Sequence, residues 1–354
     1  MCGIFGLVAY DAPAYTPAFL KKSLWTLAQL SESRGKDSSG LVLRNDVKKE
    51  FHVFKGAVPL QHLLKRQTIV HQMDDLFGGI GNNQSKSGRG TIAVMGHSRL
   101  VTNGTQLNDA NNQPVIKDSV IGIHNGIIVN ENELWSRYTD IQKEYEIDTE
   151  ILLALIRMRL RHDGNVFAAL SKTVKEIFGT VAAALLFDDL NLLALVTNNG
   201  SLYTLTNRKN FLAFASEHYF LEQLLKIMRL DMDHDVEIHQ VIPGCGVILD
   251  FDQFRLIEFS FDDAPQTLGP HKKILPYHIV VEAVATGQSQ QELVLDRAAV
   301  ARHPKSLQEA ALLEYNIEKI SKLRRCSKCL LPETFPFIDY DEQGVCNYCR
   351  NYVI

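Results

Sequence analysis

Apolar positions recur along this chain with two periods. Residues 3–10 (GIFGLVAY) are small or apolar throughout and predict a buried strand. Thr16-Pro17 then supplies a helix N-cap with proline in the first turn, and Leu20, Leu24, Leu27 and Leu30 follow on one face until Ser33-Arg34-Gly35 stops the pattern. Strands are predicted at 40–44 and 51–55, a flexible loop at 78–90, and strands again at Thr91–Met95 and Val120–Ile123. Asp148 opens a helix carrying Leu152, Leu155, Ile156 and Leu160 on one side, and a second helix runs from about Asn165 to Phe178, ending at Gly179. Short strands at 180–187, 192–197, 201–206 and 211–215 are separated by turn residues such as Asp188-Asp189 and Asn198-Asn199-Gly200. A helix at 217–229 and strands near 236–241, 245–250 and 254–260 complete the patterned part. Beyond Pro265 the periodicity weakens. Residues 263–305 read as a connector, and Ser306 with Glu309 forms a capping box before a helix with Leu307, Ala310, Leu313, Ile317 and Ile320 on one face.

Composition narrows the class. At 354 residues the chain is long enough for one large domain plus a smaller one, or for two. Apolar content of 45% with 22% charged residues is that of a globular protein with a sizeable core. A net charge of −4 argues against a general nucleic-acid or membrane binder. The apolar runs Val181–Phe187 and Leu190–Val196 are too short to span a bilayer, and the N-terminus reaches Asp11 without a basic stretch, unlike a secretory signal. The expected location is cytoplasmic, with no membrane partner.

Cysteine usage is uneven. Cys326, Cys329, Cys346 and Cys349 form C-x2-C-x16-C-x2-C, the paired spacing of a four-thiolate zinc site. Four thiolates leave no open coordination position, so the expected role is structural; an iron–sulfur cluster or reduced thiols are the alternatives. Lys319, Lys322, Arg324, Arg325 and Lys328 lie beside this motif, but Asp339, Asp341 and Glu342 between the two cysteine pairs argue against a nucleic-acid ribbon. Cys245, in Pro243-Gly244-Cys245-Gly246, reads as a buried thiol beside a turn.

Cys2 is different in kind. With the initiator methionine removed it carries a free α-amine, whose pKa of about 7.7–8.0 lets it serve as base to its own thiol. Four motifs follow it in order: Ser33-Arg34-Gly35-Lys36-Asp37-Ser38-Ser39-Gly40, Gly96-His97-Ser98-Arg99-Leu100-Val101-Thr102, His124-Asn125-Gly126, and Asp148-Thr149-Glu150. Singly they read as a helix-terminating loop, a strand end, an Asn-Gly turn and a helix N-cap. Together, behind Met-Cys-Gly-Ile, they resemble the class II glutamine amidotransferases, which are N-terminal-nucleophile hydrolases, over roughly residues 2–262. Ser33–Ser38 also nearly matches the S-G-G-x-D-S of PP-loop ATP pyrophosphatases. However, Arg34 stands where a glycine is needed for phosphate approach, and the segment follows a helix rather than a strand.

The chemistry of the residues agrees with the resemblance. Arg99 can clamp a carboxylate with parallel N–H groups, and Asp148 can pair an ammonium. The Asn125 amide and Gly126 N–H can form an oxyanion hole, each donor being typically worth about 3–4 kcal/mol in the transition state. The resemblance implies that Arg34 and the 33–40 loop frame the nucleophile's end of the pocket, and that Thr102 helps hold the glutamine carboxylate. His97 and His124 are expected to be structural, because the α-amine fills the base's role. The implied fold is α+β, a four-layer αββα sandwich of two stacked antiparallel sheets covered by helices, spanning 2–262. A connector with an amphipathic helix (263–322) and a zinc ribbon (323–354) follow.

The implied activity is hydrolysis of the L-glutamine side-chain amide through a γ-glutamyl thioester, without a cofactor, delivering ammonia to an ATP-dependent synthetase. The segment Cys326–Tyr352 resembles part of N-acetyl-sugar amidotransferases, where it precedes a PP-loop ATPase domain. A PP-loop partner, on the same or another polypeptide, with ATP and Mg confined to it, and a sugar of bacterial surface-polysaccharide biosynthesis as acceptor are therefore expected; self-association stays open. Two alternatives are carried. One is an asparagine-synthetase-like amidotransferase lacking its synthetase half, and the other a non-catalytic scaffold with a partner-binding ribbon.

Overall fold

The computed structural model describes residues 2–10, 15–78, 91–100, 105–106, 108–231, 236–263, 266–268, 274–284, 320 and 322–351. It divides into two compact units, Met1–Thr286 and Gly287–Ile354. The predicted 78–90 loop beyond Gly78, most of the 263–305 connector and nearly all of the helix begun at Ser306 lie outside the described residues.

In the first unit the strands are β1 (Gly3–Tyr10), β2 (Ser38–Asn45), β3 (Glu50–Gly56), β4 (Thr91–Arg99), β5 (Val115–Lys117), β6 (Val120–Ile128) and β7 (Gly179–Phe187). They continue with β8 (Leu192–Thr197), β9 (Tyr203–Thr206), β10 (Phe211–Ala215), β11 (Glu237–Gln240), β12 (Cys245–Asp250), β13 (Arg255–Ser260) and β14 (His278–Ala283). Its helices are α1 (Pro17–Ser31), α2 (Leu60–Leu64), α3 (Gln67–Gly78), α4 (Glu131–Arg137), α5 (Thr149–Asp163), α6 (Val166–Glu176) and α7 (His218–Asp231). One sheet has the order β11-β9-β10-β1-β4-β2-β3-β14, and the other β13-β12-β8-β7-β6-β5. This is an α+β fold.

Local signals act where the sequence places them: the Thr16 hydroxyl accepts from Phe19 N at 3.2 Å to start α1, and Asn165 accepts from Ala168 N at 3.1 Å to start α6. Two expectations are corrected. The sheets are not wholly antiparallel, because β14 pairs parallel to β3, with His278 opposite Glu50 and Ala283 opposite Lys55. And β4 and β6 run past Met95 and Ile123, so that Gly96–Arg99 is the end of β4 itself and His124–Gly126 lies within β6 rather than in an Asn-Gly turn. The reading stops short because these inward-facing residues are polar and break the apolar pattern.

Three apolar clusters show how the strands are used. Phe5, Leu7, Leu41, Leu43 and Val94 pack with Leu20, Leu24, Phe77 and Phe220 of the helices. Val181, Ala183 and Leu185 pack with Ile151, Leu155, Phe167 and Leu170. The third cluster joins the sheets: Ile4, Val8, Val42 and Met95 meet Ile121, Ile123, Ala182, Ala184 and Leu193. Full burial of one such side chain stabilises by about 1.5–3 kcal/mol. A one-residue slip would exchange the faces, so burial on both sides holds each strand in register.

His97 lies on the sheet-facing side of β4, fully buried, and neither ring nitrogen has a hydrogen-bond partner among the described residues. Burial, reinforced by the nearby Arg99 charge, pushes its pKa down from 6.5 to about 3. Between those values the unfolded chain takes up a proton that the folded chain refuses. This site therefore gives full stability above pH 6.5 and costs roughly 1 kcal/mol per pH unit as pH falls from there toward 3. Denaturant unfolding between pH 7 and 4 should show this slope flattened in His97→Gln; equal slopes in both proteins would show that other groups set the acid limit.

Candidate active site

Strand parity assembles the candidate residues. On β1, Ile4 and Val8 face the opposite sheet, and Cys2 precedes Ile4 by one full period. Gly3 pairs with Ser98 and Ser38 with Arg99, which puts Arg99 on the sheet-facing side at the same end, two residues beyond His97. On β6, Ile121 and Ile123 face inward, so Asn125 does too. The Cys2 thiol, the Arg99 cation and the Asn125 amide thus converge at one end of the layer between the sheets.

The thiol of Cys2 donates to the Leu100 carbonyl at 3.6 Å. Burial pushes the thiol pKa up, while the hydrogen bond to Leu100 O and the positive charges of Arg99 and Arg34 partly oppose this. Arg34 donates from Nε to the Cys2 carbonyl at 2.9 Å and pairs through its guanidinium with Glu217. The Arg34 loop is clamped to the end of β4: Ser98 Oγ donates to Gly35 O at 2.7 Å, and Asp37 N donates to Arg99 O at 3.0 Å. A Cβ on Gly35 would lie 2.3 Å from the Arg99 carbonyl carbon, so any larger residue there would displace the strand end.

Arg99 is 3% exposed. Burial lowers its pKa, while Cys2, Asp148 and Asp37 act on it in the opposite sense, which places all three within electrostatic reach. Its NH1 group donates to Asn112 Oδ1 at 3.3 Å. Asp148 stands at the N-cap of α5 but makes no capping bond. Its Oδ2 instead accepts from Ile128 N at 2.8 Å, and among the described residues no hydrogen bond reaches Oδ1. Thr149 and Glu150 turn to structural partners. The Thr149 hydroxyl meets His124 Nδ1 at 3.2 Å. Glu150, fully buried, accepts from Glu144 N and Tyr145 N and pairs with Lys117 at 2.9 Å.

Asn125 is 5% exposed, yet its amide makes no hydrogen bond with any described residue. A Cβ on Gly126 would meet Thr180 O at 1.9 Å, so this glycine is required by the approach of β7 whatever its N–H does. The His124 ring is held between Thr149 and Thr180 O, the latter at 3.2 Å. Thr102 lies outside the described residues.

Asn112, Gln113 and Lys55, which no motif singles out, also reach this site. Gln113 receives His124 N at 2.6 Å and donates to His124 O at 2.9 Å. Lys55 is 7% exposed and donates to the carbonyls of Asn112 and Pro114 at 3.1 and 3.3 Å; burial lowers its pKa to about 8.

In the second unit the Cys326, Cys329, Cys346 and Cys349 sulfurs all lie within 4.8 Å of one another, and none is in a disulfide. Cys326 and Cys349 are 3.9 Å apart, and Cys329 and Cys346 3.6 Å. Backbone N–H groups of Lys328 and Cys346 point at the Cys326 sulfur. A turn at Gly344 (φ 75°) and a short helix, α8 (Asn347–Arg350), carry the second pair. This cluster could hold a metal ion.

Residues 97–223 match the family model described as a glutamine amidotransferase domain. The chain is similar to a glutamine–fructose-6-phosphate aminotransferase (isomerizing) of Staphylococcus epidermidis, with 29% identity over 243 residues, 67% of this chain and 36% of that protein. It is similar to the enzyme of that name from Thermococcus kodakarensis, with 30% identity over 290 residues, 80% and 43% of the two chains. It therefore spans less than half the length of these relatives. A solved structure of the allosteric regulatory enzyme of purine biosynthesis shares the fold, with a TM-score of 0.52 at 17% identity over 75% of this chain and 50% of that one. The chain belongs to the class II glutamine amidotransferases.

Proposed function

We propose that residues 2–262, arranged as helix, sheet, sheet and helix layers, form a glutaminase domain that hydrolyses the side-chain amide of L-glutamine. The observation that carries this is the convergence on Arg99. A buried guanidinium lies within electrostatic reach of both the Cys2 thiol and the Asp148 carboxylate, at the end of the inter-sheet layer to which Asn125 also points. A glutamine bound there offers its α-carboxylate to Arg99 and its α-ammonium to Asp148. With Met1 removed, the Cys2 α-amine takes the thiol proton as sulfur bonds to Cδ. Asn125 Nδ2 and Gly126 N donate to the oxyanion. Collapse breaks the C–N bond, the protonated amine returns its proton to the leaving nitrogen, and ammonia departs. Water then attacks the γ-glutamyl thioester, releasing glutamate and restoring the thiol. Arg34 contributes by fixing the Cys2 carbonyl, and Thr102 joins Arg99 at the carboxylate.

The ammonia acceptor is read from two supports. The relatives are named for amination of a sugar phosphate, and the Cys326–Tyr352 segment resembles that of N-acetyl-sugar amidotransferases. A sugar acceptor, activated by an ATP-dependent PP-loop synthetase acting with this chain in the cytoplasm, fits both.

The ribbon at 323–354 is read as a structural zinc site. Sulfurs around a tetrahedral zinc with Zn–S bonds of about 2.3 Å stand roughly 3.8 Å apart, close to the 3.6 and 3.9 Å found. Zinc bound by Cys326, Cys329, Cys346 and Cys349 would supply folding energy to this segment.

Three outcomes are expected. Intact mass should show Met1 absent from active protein, and a form that retains Met1 yet hydrolyses glutamine would exclude the α-amine as base. Cys2→Ala should abolish glutamine-dependent product formation in the reconstituted pair while activity with ammonium salts persists; loss of both would make Cys2 structural. Native mass spectrometry should find one zinc per chain with displaced protons, absent in Cys329→Ser/Cys346→Ser. A metal-free wild-type ribbon, or the visible absorption of an iron–sulfur cluster, would overturn the zinc assignment.

A further inference from the structure

The glutamine site as read above is divided between the two sheets. Arg99 belongs to the sheet of β1 and β4, Asn125 to that of β6 and β7, and the distance between them must match the length of one glutamine. We infer that the dipeptide Asn112-Gln113 is the spacer that sets this distance, with Lys55 locking it from behind. The inference rests on the glutaminase reading of the site and extends it to residues that touch no substrate.

Each half of the dipeptide grips one side. Asn112 is fully buried, and its Nδ2 donates to Gln106 O at 2.8 Å. That bond decides the orientation of the amide and leaves Oδ1 to receive Arg99 NH1. Gln113, 4% exposed, closes a two-bond ring on the main chain of His124, the residue before Asn125. Val115 pairs with Gly122 in the β5–β6 ladder, so the next non-adjacent pair would be Gln113 with His124. The side chain of Gln113 replaces the backbone there, and the main chain of the dipeptide can leave the sheet. It passes close to the other sheet, where a Cβ on Gly40 of β2 would lie 2.2 Å from Gln113 O. Lys55 on β3 then binds the carbonyls on both flanks, those of Asn112 and Pro114. The segment is thus wedged between the sheets at the site's end, and each partner it holds carries one end of the substrate.

Asn112 and Gln113 are positioning residues, and the two should give opposite kinetic signatures. Loss of the bond to Arg99 weakens a contact made equally in ground and transition states. Asn112→Ala should therefore raise the KM for glutamine about tenfold with kcat changed less than about threefold. Asn112→Asp should raise KM further, since its carboxylate would occupy Arg99 in competition with the substrate. Loosening the Asn125 main chain acts on the oxyanion, so Gln113→Ala should lower kcat about tenfold or more at nearly constant KM. Lys55→Met, which frees both flanks, should shift both constants. If Gln113→Ala does not fold, Gln113→Glu, which keeps the bond from His124 N and loses the other, decides the kcat arm.

The assay is steady-state glutamate release by wild type and variants of the full chain. The inference is overturned if kcat and KM move together by a common factor in the Asn112 and Gln113 variants, or if neither moves. Wild-type protein without Cys2-dependent glutamate release would overturn the reading of the site itself, and this inference with it.

Discussion

A side chain on a strand can point to only one of two faces, and Cys2, Arg99 and Asn125 share the face turned toward the opposite sheet. Everything at the site depends on this. The three residues are far apart in sequence: Arg99 and Asn125 lie on strands of different sheets, and Cys2 immediately precedes β1. They meet because β1, β4 and β6 keep a period of two that is fixed by apolar burial on both faces. The polar end of the inter-sheet layer is the continuation of the apolar one, in the same registers.

Burying charge in that layer needs compensation, and the two ends of the sandwich do it differently. At the far end Arg44, 1% exposed, is held by protein alone: it donates to Thr91 O and Asn191, bonds the Tyr277 hydroxyl, and lies 4.5 Å from the Phe251 ring centroid. This network also ties the chain leading into β14 to the sheet. At the near end Arg99 stands among Cys2, Asp148 and Asp37, with Asn112 orienting it. One arginine completes a closed structural knot, whereas the other stands among a thiol and two carboxylates. Neutral His97 beside it adds no second positive charge to the pocket.

The glycines and polar residues around the site do mostly mechanical work. Gly35 and Gly126 exist to let backbones touch. Glu150, though part of the Asp148-Thr149-Glu150 motif, braces the 144–145 main chain and Lys117. In the second unit, four thiols are gathered within 4.8 Å of one another instead.

The candidate residues were legible in the sequence, because Cys2, Arg34, Arg99, Asn125 and Asp148 sit in short motifs whose chemistry can be named one residue at a time. Most helices and strands were legible too, since a cap such as Thr16 or a run such as Val181–Phe187 acts over a few residues. The inner ends of β4 and β6 were not, because polar side chains facing a site erase the very alternation that marks a strand. Nor were α2, α3 and α4, or β14, whose half-exposed residues form a strand only against β3. The roles of Lys55, Asn112 and Gln113 were invisible, for their partners are set by how two sheets stack. The sequence by itself determined which groups are available and which local elements carry them. Only the tertiary structure decided which meet, because register and sheet packing are fixed by burial between residues distant along the chain.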